Sequence, residues 1–325
     1  MKQQEKRPLV LLTGPTAVGK SALAVELAEK IGAEIVSADS MQVYRHMDIG
    51  SAKITPQEMA GIPHHLIDVL EPTEEFNVVI FQKMAKEAIQ QIYDRGNIPI
   101  LAGGTGFYIQ AVLYDIDFTQ NDEDTAFRRH LEQTAAREGP QVLFEKLKKV
   151  DPASCEIIHA NNVKRVIRAL EFYEKTGRRI SEHNEEQRAR RSPYNFAYFV
   201  LQDDRERIYR KIEERVDQML SQGLVEEVAV LRDMGCTKDM VSMQGLGYKE
   251  ILSYLQGEIS LEEAVYLIKR DTRHFAKRQM TWFRREKEVI WMDRRDFDQS
   301  SQKMLLFMQG ILHERGIILQ KKTVY

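Results

Sequence analysis

The sequence predicts an α/β protein: a parallel sheet with helices on both faces, an all-helical domain inserted into it, and a helical C-terminal part. Three observations predict this. Short apolar runs at 8–12, 34–38 and 98–102 alternate with helix-forming stretches, the pattern of a parallel sheet. No strand pattern occurs between about 115 and 195, where helical patterns run through 123–138, 140–149, 161–176 and 181–191. The run Asn195 to Gln202 then regains strand character before a chain that is helical almost to its end.

Taken in order, residues 8–12 form a buried strand that ends in Thr13-Gly14. Ser21 to Lys30 is a strong helix former, closed by Gly32. Residues 34–38 are a second strand, and 39–65 are irregular, punctuated by Gly50, Pro56, Gly61 and Pro63. A helix at 78–95 ends near Gly96, and the strand at 98–102 enters Gly103-Gly104-Thr105-Gly106. In the insertion, Asn161-Asn162 supplies an N-cap and Gly177 a stop for the third helix. After the strand at 195–202, helices are expected at 204–222, 224–234, about 245–256 and 260–287. A strand at 288–292 and a helix at 301–315 follow. The expected domains are therefore a core of 1–114 with 196–325, and an insertion of 115–195.

The 325 residues are 43% apolar and 30% charged, which is enough to bury an ordinary core in about two domains. A net charge of −2 and a pI of about 6.5 give no overall bias toward nucleic acid. Cys155 and Cys236 cannot build a disulfide framework or a CxxC zinc site, which fits a reducing cytoplasm. The run Leu9 to Leu12 is too short for a signal peptide, and no stretch reaches membrane-spanning length. The expectation is a cytoplasmic protein without membrane association, monomeric by default.

The most specific motif is Gly14-Pro15-Thr16-Ala17-Val18-Gly19-Lys20-Ser21, a P-loop pattern that follows a strand and opens a helix. Its glycines let the backbone wrap an anion, its amides and the helix N-terminus point at that anion, and Lys20 adds a positive charge. Ser21 is the candidate ligand for a Mg²⁺ ion bridging phosphates. The core is thus P-loop NTPase-like, but the motif does not name the reaction. Asp39 ends the second strand on the same sheet edge, where ligands of open α/β sheets bind. It can accept a proton from a nucleophile, hold Mg²⁺, or simply close an Asx turn. The turn at 103–106 lies on that edge too, and the Thr105 hydroxyl can reach the same site; a plain tight turn is the alternative.

Positive charge is concentrated in two places. Residues 164–191 carry nine Lys/Arg against five acids, and 269–288 carry eight against three. In the second segment Arg270, Arg273, His274, Lys277 and Arg284 fall along one helical stripe, with Phe275, Trp282 and Phe283 interleaved. Such a stripe suits a phosphate backbone and unstacked bases, so Arg273 and Lys277 are candidate RNA contacts; the alternative is a solvated, ion-paired helix face.

These blocks stand in a fixed order: Gly14 to Ser21, Asp39-Ser40-Met41-Gln42-Val43-Tyr44, Asp48 to Lys53, and His64 to Asp68. Gly103 to Tyr108, Arg165 to Glu171, Gly245 to Glu250, and Thr272 to Phe283 complete the series. Over nearly the whole chain the series resembles the bacterial tRNA dimethylallyltransferases, also called tRNA isopentenyltransferases. That resemblance implies transfer of a five-carbon allylic group from dimethylallyl diphosphate to N6 of adenosine 37 of tRNA, with Mg²⁺. It also implies an insertion that holds the anticodon stem-loop. The chemistry of that transfer makes Asp39 the expected base and Lys20 a stabiliser of the departing diphosphate, and the resemblance places Thr105 in the reaction channel. It assigns adenine contacts to Ser40, Met41 and Gln42, and a substrate contact to Arg128. It extends tRNA contacts to Lys164, Arg165, Val166, Ile167 and Arg168, and to Met243, Gln244, Gly245, Leu246, Gly247 and Tyr248. Arg215 is implied to neutralise diphosphate from the side opposite the loop. His46 stands where the family often has glycine, a loop change that alters none of these expectations. The C-terminal zinc finger of eukaryotic relatives is not expected. The rival readings are a nucleoside or nucleotide kinase on the same scaffold and a non-catalytic RNA-binding P-loop module.

Overall fold

A computed structural model describes residues 6–118 and 126–319. Positions 123–125 of the first expected insertion helix, and the side chain of Arg188, lie outside the described residues. The chain forms two compact units, one up to Leu113 and from Pro193 onward, the other Tyr114–Ser192.

The first unit is built on a six-stranded sheet. Its strands are β1 (Pro8–Thr13), β2 (Ala33–Ala38), β3 (His64–His65), β4 (Ile98–Gly103), β5 (Asn195–Gln202) and β6 (Val289–Asp293). Their spatial order is β3-β2-β4-β1-β5-β6, and every pairing is parallel. The interior strands are mostly apolar and are buried without alternation, as expected of strands covered on both faces, with Glu34 and Ser37 of β2 buried among them. Val10 and Leu12 of β1 pack with α1 (Lys20–Ile31) in a core that also takes Met304, Met308 and Leu312. Leu9 and Leu11 are equally buried and by strand alternation face the other side. Helices α2 (Val78–Asp94) and α3 (Gly106–Leu113) also pack on the sheet. Gly32 caps α1 with φ 65° and donates to the Ala28 carbonyl, as its position implied.

The edge strand β3 lies inside the segment expected to be irregular. It is two residues long, pairing with Ile35 and Val36, too short to leave a pattern. Helix α3 was also not anticipated, because its apolar run carries no helical period.

The second unit is all helical among its described residues: α4 (Ala126–Glu138), α5 (Pro140–Val150), α6 (Pro152–Cys155), α7 (Val163–Thr176) and α8 (Ile180–Ala189). Leu131, Leu143, Leu147, Val166, Ile167 and Leu170 form its core. Asn162 caps α7 by accepting from Arg165 N, and Gly177 ends it in the left-handed region. The buried Asp151 carboxylate joins α6 to α8, accepting from Ser154 N and Oγ and from Ser181 N and Oγ.

The rest of the first unit is α9 (Arg205–Ser221), α10 (Leu224–Asp233), α11 (Tyr248–Leu255), α12 (Leu261–Phe283) and α13 (Ser301–Glu314). Two 3₁₀ turns, Ser242–Gln244 and Arg294–Phe297, were not expected from sequence. None of the described helices is long and apolar enough to cross a membrane.

Candidate active site

Strand register brings the site together. Gly103 of β4 pairs with both Thr13 of β1 and Ala38 of β2, so three strands end in one row. The residues that follow those ends are the P-loop, Asp39 and Gly104-Thr105. The sheet thus delivers three sequence-distant motifs to one edge, the edge where α/β sheets bind ligands.

The P-loop backbone is pinned from behind. A Cβ on Gly14 would lie 2.6 Å from the Leu201 carbonyl oxygen, and the residue's φ is 146°, so only glycine fits there. Ala17 sits in the left-handed region at φ 63°, a strain of about 1 kcal/mol that the fold holds in place. Lys20 Nζ donates to Pro15 O at 2.7 Å, folding the ammonium back over the loop. Burial and the Arg215 guanidinium push that ammonium down to about 7, against the pull of the Asp39 carboxylate. Arg215, on α9, reaches the loop, with Nη1 3.4 Å from Thr16 Oγ1. Burial lowers its pKa, while the Asp39 and Glu58 carboxylates oppose that shift. Two cations and one carboxylate therefore act on one another across a space bordered by the loop.

Asp39 Oδ1 accepts from Met41 N at 2.8 Å and Gln42 N at 3.3 Å. It does close an Asx turn, and the turn orients it: both bonds fall on Oδ1, which leaves Oδ2 for a proton or a cation. Thr105 N donates to the Ala38 carbonyl at 3.3 Å, so Thr105 stands beside the root of Asp39. Gln42 is tied by its amide to the Ala52 carbonyl at 3.2 Å and faces Ser37 Oγ at 3.4 Å.

Sequence reasoning missed Gln279. This buried α12 residue accepts from Thr16 N at 2.9 Å and donates to Gly104 O at 3.0 Å, clamping the P-loop to the second glycine turn. The approach is so close that a Cβ on Gly104 would lie 2.2 Å from Gln279 Nε2. The available signal was an amide side chain inside a basic, aromatic block. Arg294 was also missed; its Nη1 lies 3.3 Å from the Val18 carbonyl.

A magnesium ion would find the Ser21 hydroxyl at the start of α1. No cluster of three or more His, Cys, Asp or Glu suited to a metal occurs among the described residues. A single hydroxyl fits a Mg²⁺ that takes most of its ligands from phosphate and water.

Burial corrects part of the expected RNA contact set. Val166 is 0% and Ile167 3% exposed, because both pack in the helical unit's core. Lys164, Arg165 and Arg168 are the members of that segment on the surface. Met243 and Tyr248 are likewise 0% exposed, and Gly245 and Gly247 are buried; Gln244 and, in part, Leu246 reach the surface. Arg128 holds the buried Glu171 carboxylate through Nε at 3.1 Å and Nη2 at 2.6 Å. The α12 stripe is also corrected. Arg273 pairs with Glu213 of α9 at 2.7 Å and Arg270 with its neighbour Asp271. His274 and Lys277 of the expected stripe do lie on the open face, where they line a cavity of about 380 Å³ with Arg278, Thr281, Trp282 and Arg285.

Comparison with known proteins agrees with this architecture. A family model described as IPP transferase matches residues 42–286. A tRNA dimethylallyltransferase of Lachnoclostridium phytofermentans is 61% identical over 312 residues, covering 96% of this chain and 99% of that protein. The crystal structure of the full-length tRNA isopentenylpyrophosphate transferase of Bacillus halodurans superposes with a TM-score of 0.72 at 43% identity. The match covers 96% of this chain and 98% of that one. A eukaryotic dimethylallyltransferase, solved in crystallographic snapshots of its action on tRNA, superposes with a TM-score of 0.82 at 30% identity. Here the match covers 97% of this chain and 82% of that one.

Proposed function

The chain belongs to the IPP transferase family, and from that premise we propose that it moves a dimethylallyl group from dimethylallyl diphosphate to N6 of adenosine 37 in tRNA. Its activity is that of a tRNA dimethylallyltransferase. The observation that carries the finer reading is the Asp39 carboxylate, fixed by main-chain amides and acting electrostatically on both Lys20 of the P-loop and Arg215.

The reaction breaks a carbon–oxygen bond, so the diphosphate leaves with the bonding pair as positive charge grows on the allylic carbon. Loop amides, Lys20 and Arg215 supply fixed positive potential where that negative charge gathers. The Ser21 hydroxyl would hold a Mg²⁺ ion, which would supply further charge neutralisation to the departing diphosphate. The adenine N6 lone pair forms the new carbon–nitrogen bond, and the amine then carries one proton too many. Asp39 Oδ2 takes that proton, while Oδ1 stays locked by two main-chain amides. Thr105, bonded at its backbone to the end of β2, borders the path between the adenine and the loop. Asp39 is followed by Ser40, Met41 and Gln42, so the residues that hold the adenine and the base that deprotonates it share one turn. Removal of the target base from its stack gives N6 access to that turn.

The RNA is held by charge. The exposed Lys164, Arg165 and Arg168 on α7 offer cations to the phosphate backbone, and the His274–Arg285 face of α12 lines a cavity with further cations. The experiment is direct. The protein is incubated with dimethylallyl diphosphate, Mg²⁺ and an anticodon stem-loop RNA, and the digested nucleosides are weighed by mass spectrometry. The expected product is a dimethylallyl-adenosine from position 37. Phosphate transfer from ATP to a nucleoside in place of that product would establish the kinase reading. RNA binding without any product would establish the binding-module reading.

A further inference from the structure

The adenine-contact turn rests on a second loop, residues 48–53, and that loop is held by a single carboxylate on α10. Glu227 Oε2 accepts from Asp48 N at 2.9 Å and Ile49 N at 2.7 Å. Its Oε1 accepts from Gly50 N at 3.0 Å and from the Tyr248 hydroxyl at 2.8 Å. Three successive main-chain amides converging on one anion form a nest, here filled by the protein's own side chain. The Tyr248 ring closes the fit: a Cβ on Gly50 would lie 2.6 Å from its Cζ. From this loop the Ala52 carbonyl accepts from the Gln42 side-chain amide at 3.2 Å, and Gln42 N in turn bonds Asp39 Oδ1. Lys53, its side chain 5% exposed, fastens the far end by donating to Tyr44 O, Asp48 Oδ1 and Asp68 Oδ1.

We infer that Glu227 is a positioning residue for nucleobase selection. It fixes the 48–53 loop, the Ser51 and Ala52 carbonyls of that loop hold the Gln42 side-chain amide, and Gln42 so held sets the Ser40–Gln42 turn that the proposed function gives to the adenine. The inference rests on the proposed function in placing the target base at Ser40–Gln42. A carboxylate is required because four donors in two pairs need two acceptor oxygens. A glutamine offers one acceptor oxygen and turns a donor toward the other pair.

The test is a binding titration of the full chain with two fluorescent anticodon stem-loops, one with adenosine at 37 and one with uridine. The wild-type protein binds the adenosine RNA more tightly. In Glu227→Gln the adenosine RNA weakens about tenfold, the scale of one lost charge-assisted hydrogen bond. The uridine RNA stays within about twofold, so the two affinities converge. Tyr248→Phe, which removes only the hydroxyl, shifts the same ratio in the same direction by less. A carboxylate that merely stabilised the fold would weaken both RNAs alike. That outcome, or an unchanged ratio in both variants, or no discrimination by the wild type, would overturn the proposal. Group transfer is assayed alongside: its absence from the wild type would sink the functional reading, while the affinity ratio still decides the role of Glu227.

Discussion

The carboxyl edge of the sheet and the exposed face of α7 are built on opposite rules. At the sheet edge every polar group singled out is tethered: Asp39 by two amides, Thr16 N and Gly104 O by one glutamine, Gln42 by the neighbouring loop. On α7 Val166 and Ile167 sit in the core and Arg128 holds the buried Glu171, while Lys164, Arg165 and Arg168 stand at the surface on long side chains. Bond-making needs reacting atoms held within a fraction of an ångström. Holding a polyanion needs charge density and tolerates motion. Substitutions at the edge should therefore change turnover or small-substrate binding, and substitutions on α7 should change only salt-dependent RNA affinity.

The sharpest way to break this division is Asp39→Asn. An amide keeps the Asx turn through its carbonyl oxygen and cannot take a proton. Turnover is expected to fall by about 10²-fold or more, while RNA affinity measured by titration stays near wild type. Unchanged turnover would remove Asp39 from the chemistry. Next in size is Gln279→Leu, which leaves Thr16 N–H and Gly104 C=O without their clamp. A loss of about 2 kcal/mol in denaturant unfolding is expected, with a raised KM for the allylic diphosphate. A normal KM would show that the P-loop keeps its shape without α12.

A pH experiment probes the same edge. Lys20 has an ordinary pKa of 10.5 in the unfolded chain and is lowered to about 7 in the fold by burial and Arg215. Between those values the unfolded chain binds more protons, so Lys20 makes stability rise with pH from about 7 to 10.5. Below about 7 the full cost of the enclosed ammonium is present. Diphosphate binding runs the other way. The anion favours the charged lysine, so above pH 7 binding takes up a proton and affinity falls with pH, by at most about tenfold per unit. Calorimetry at pH 8 in two buffers of different ionisation enthalpy should reveal that uptake, and Lys20→Met should abolish it. Equal heats in both buffers with the wild type would mean that the lysine is already charged.

Such tests also mark what a sequence can and cannot reveal. The sheet was legible because β1, β4 and β5 are apolar runs and β2 keeps an apolar centre despite Glu34 and Ser37, and α7 because Asn162 and Gly177 bracket it. Asp39 was legible because strand ends carry ligands in this fold class. Gln279 and Glu227 were not, because their partners lie 263 and 177 positions away and no local pattern records such a bond. The α12 stripe was misdrawn for the same reason: helical spacing cannot tell that Arg273 already has Glu213 of α9 as its partner. Burial within a basic segment was equally hidden, since Val166 and Ile167 share their neighbourhood with three cations.

The smallest expected effect comes from α7 itself. Replacing Arg165 and Arg168 together by glutamine removes two surface charges and leaves Val166 and Ile167 packed in the core. If both contact phosphates, the slope of log affinity against log salt falls by about 0.7–0.9 for each contact. The loss of affinity is then modest at physiological salt and largest at low salt, where screening is weakest. Turnover at saturating RNA should match wild type, because neither residue belongs to the sheet edge. A salt slope that does not move would transfer the phosphate contacts to the Lys277, Arg278 and Arg285 face of α12. A fall in turnover at saturation would break the division at its root, since charge on the helical unit would then be setting the geometry of the reacting atoms.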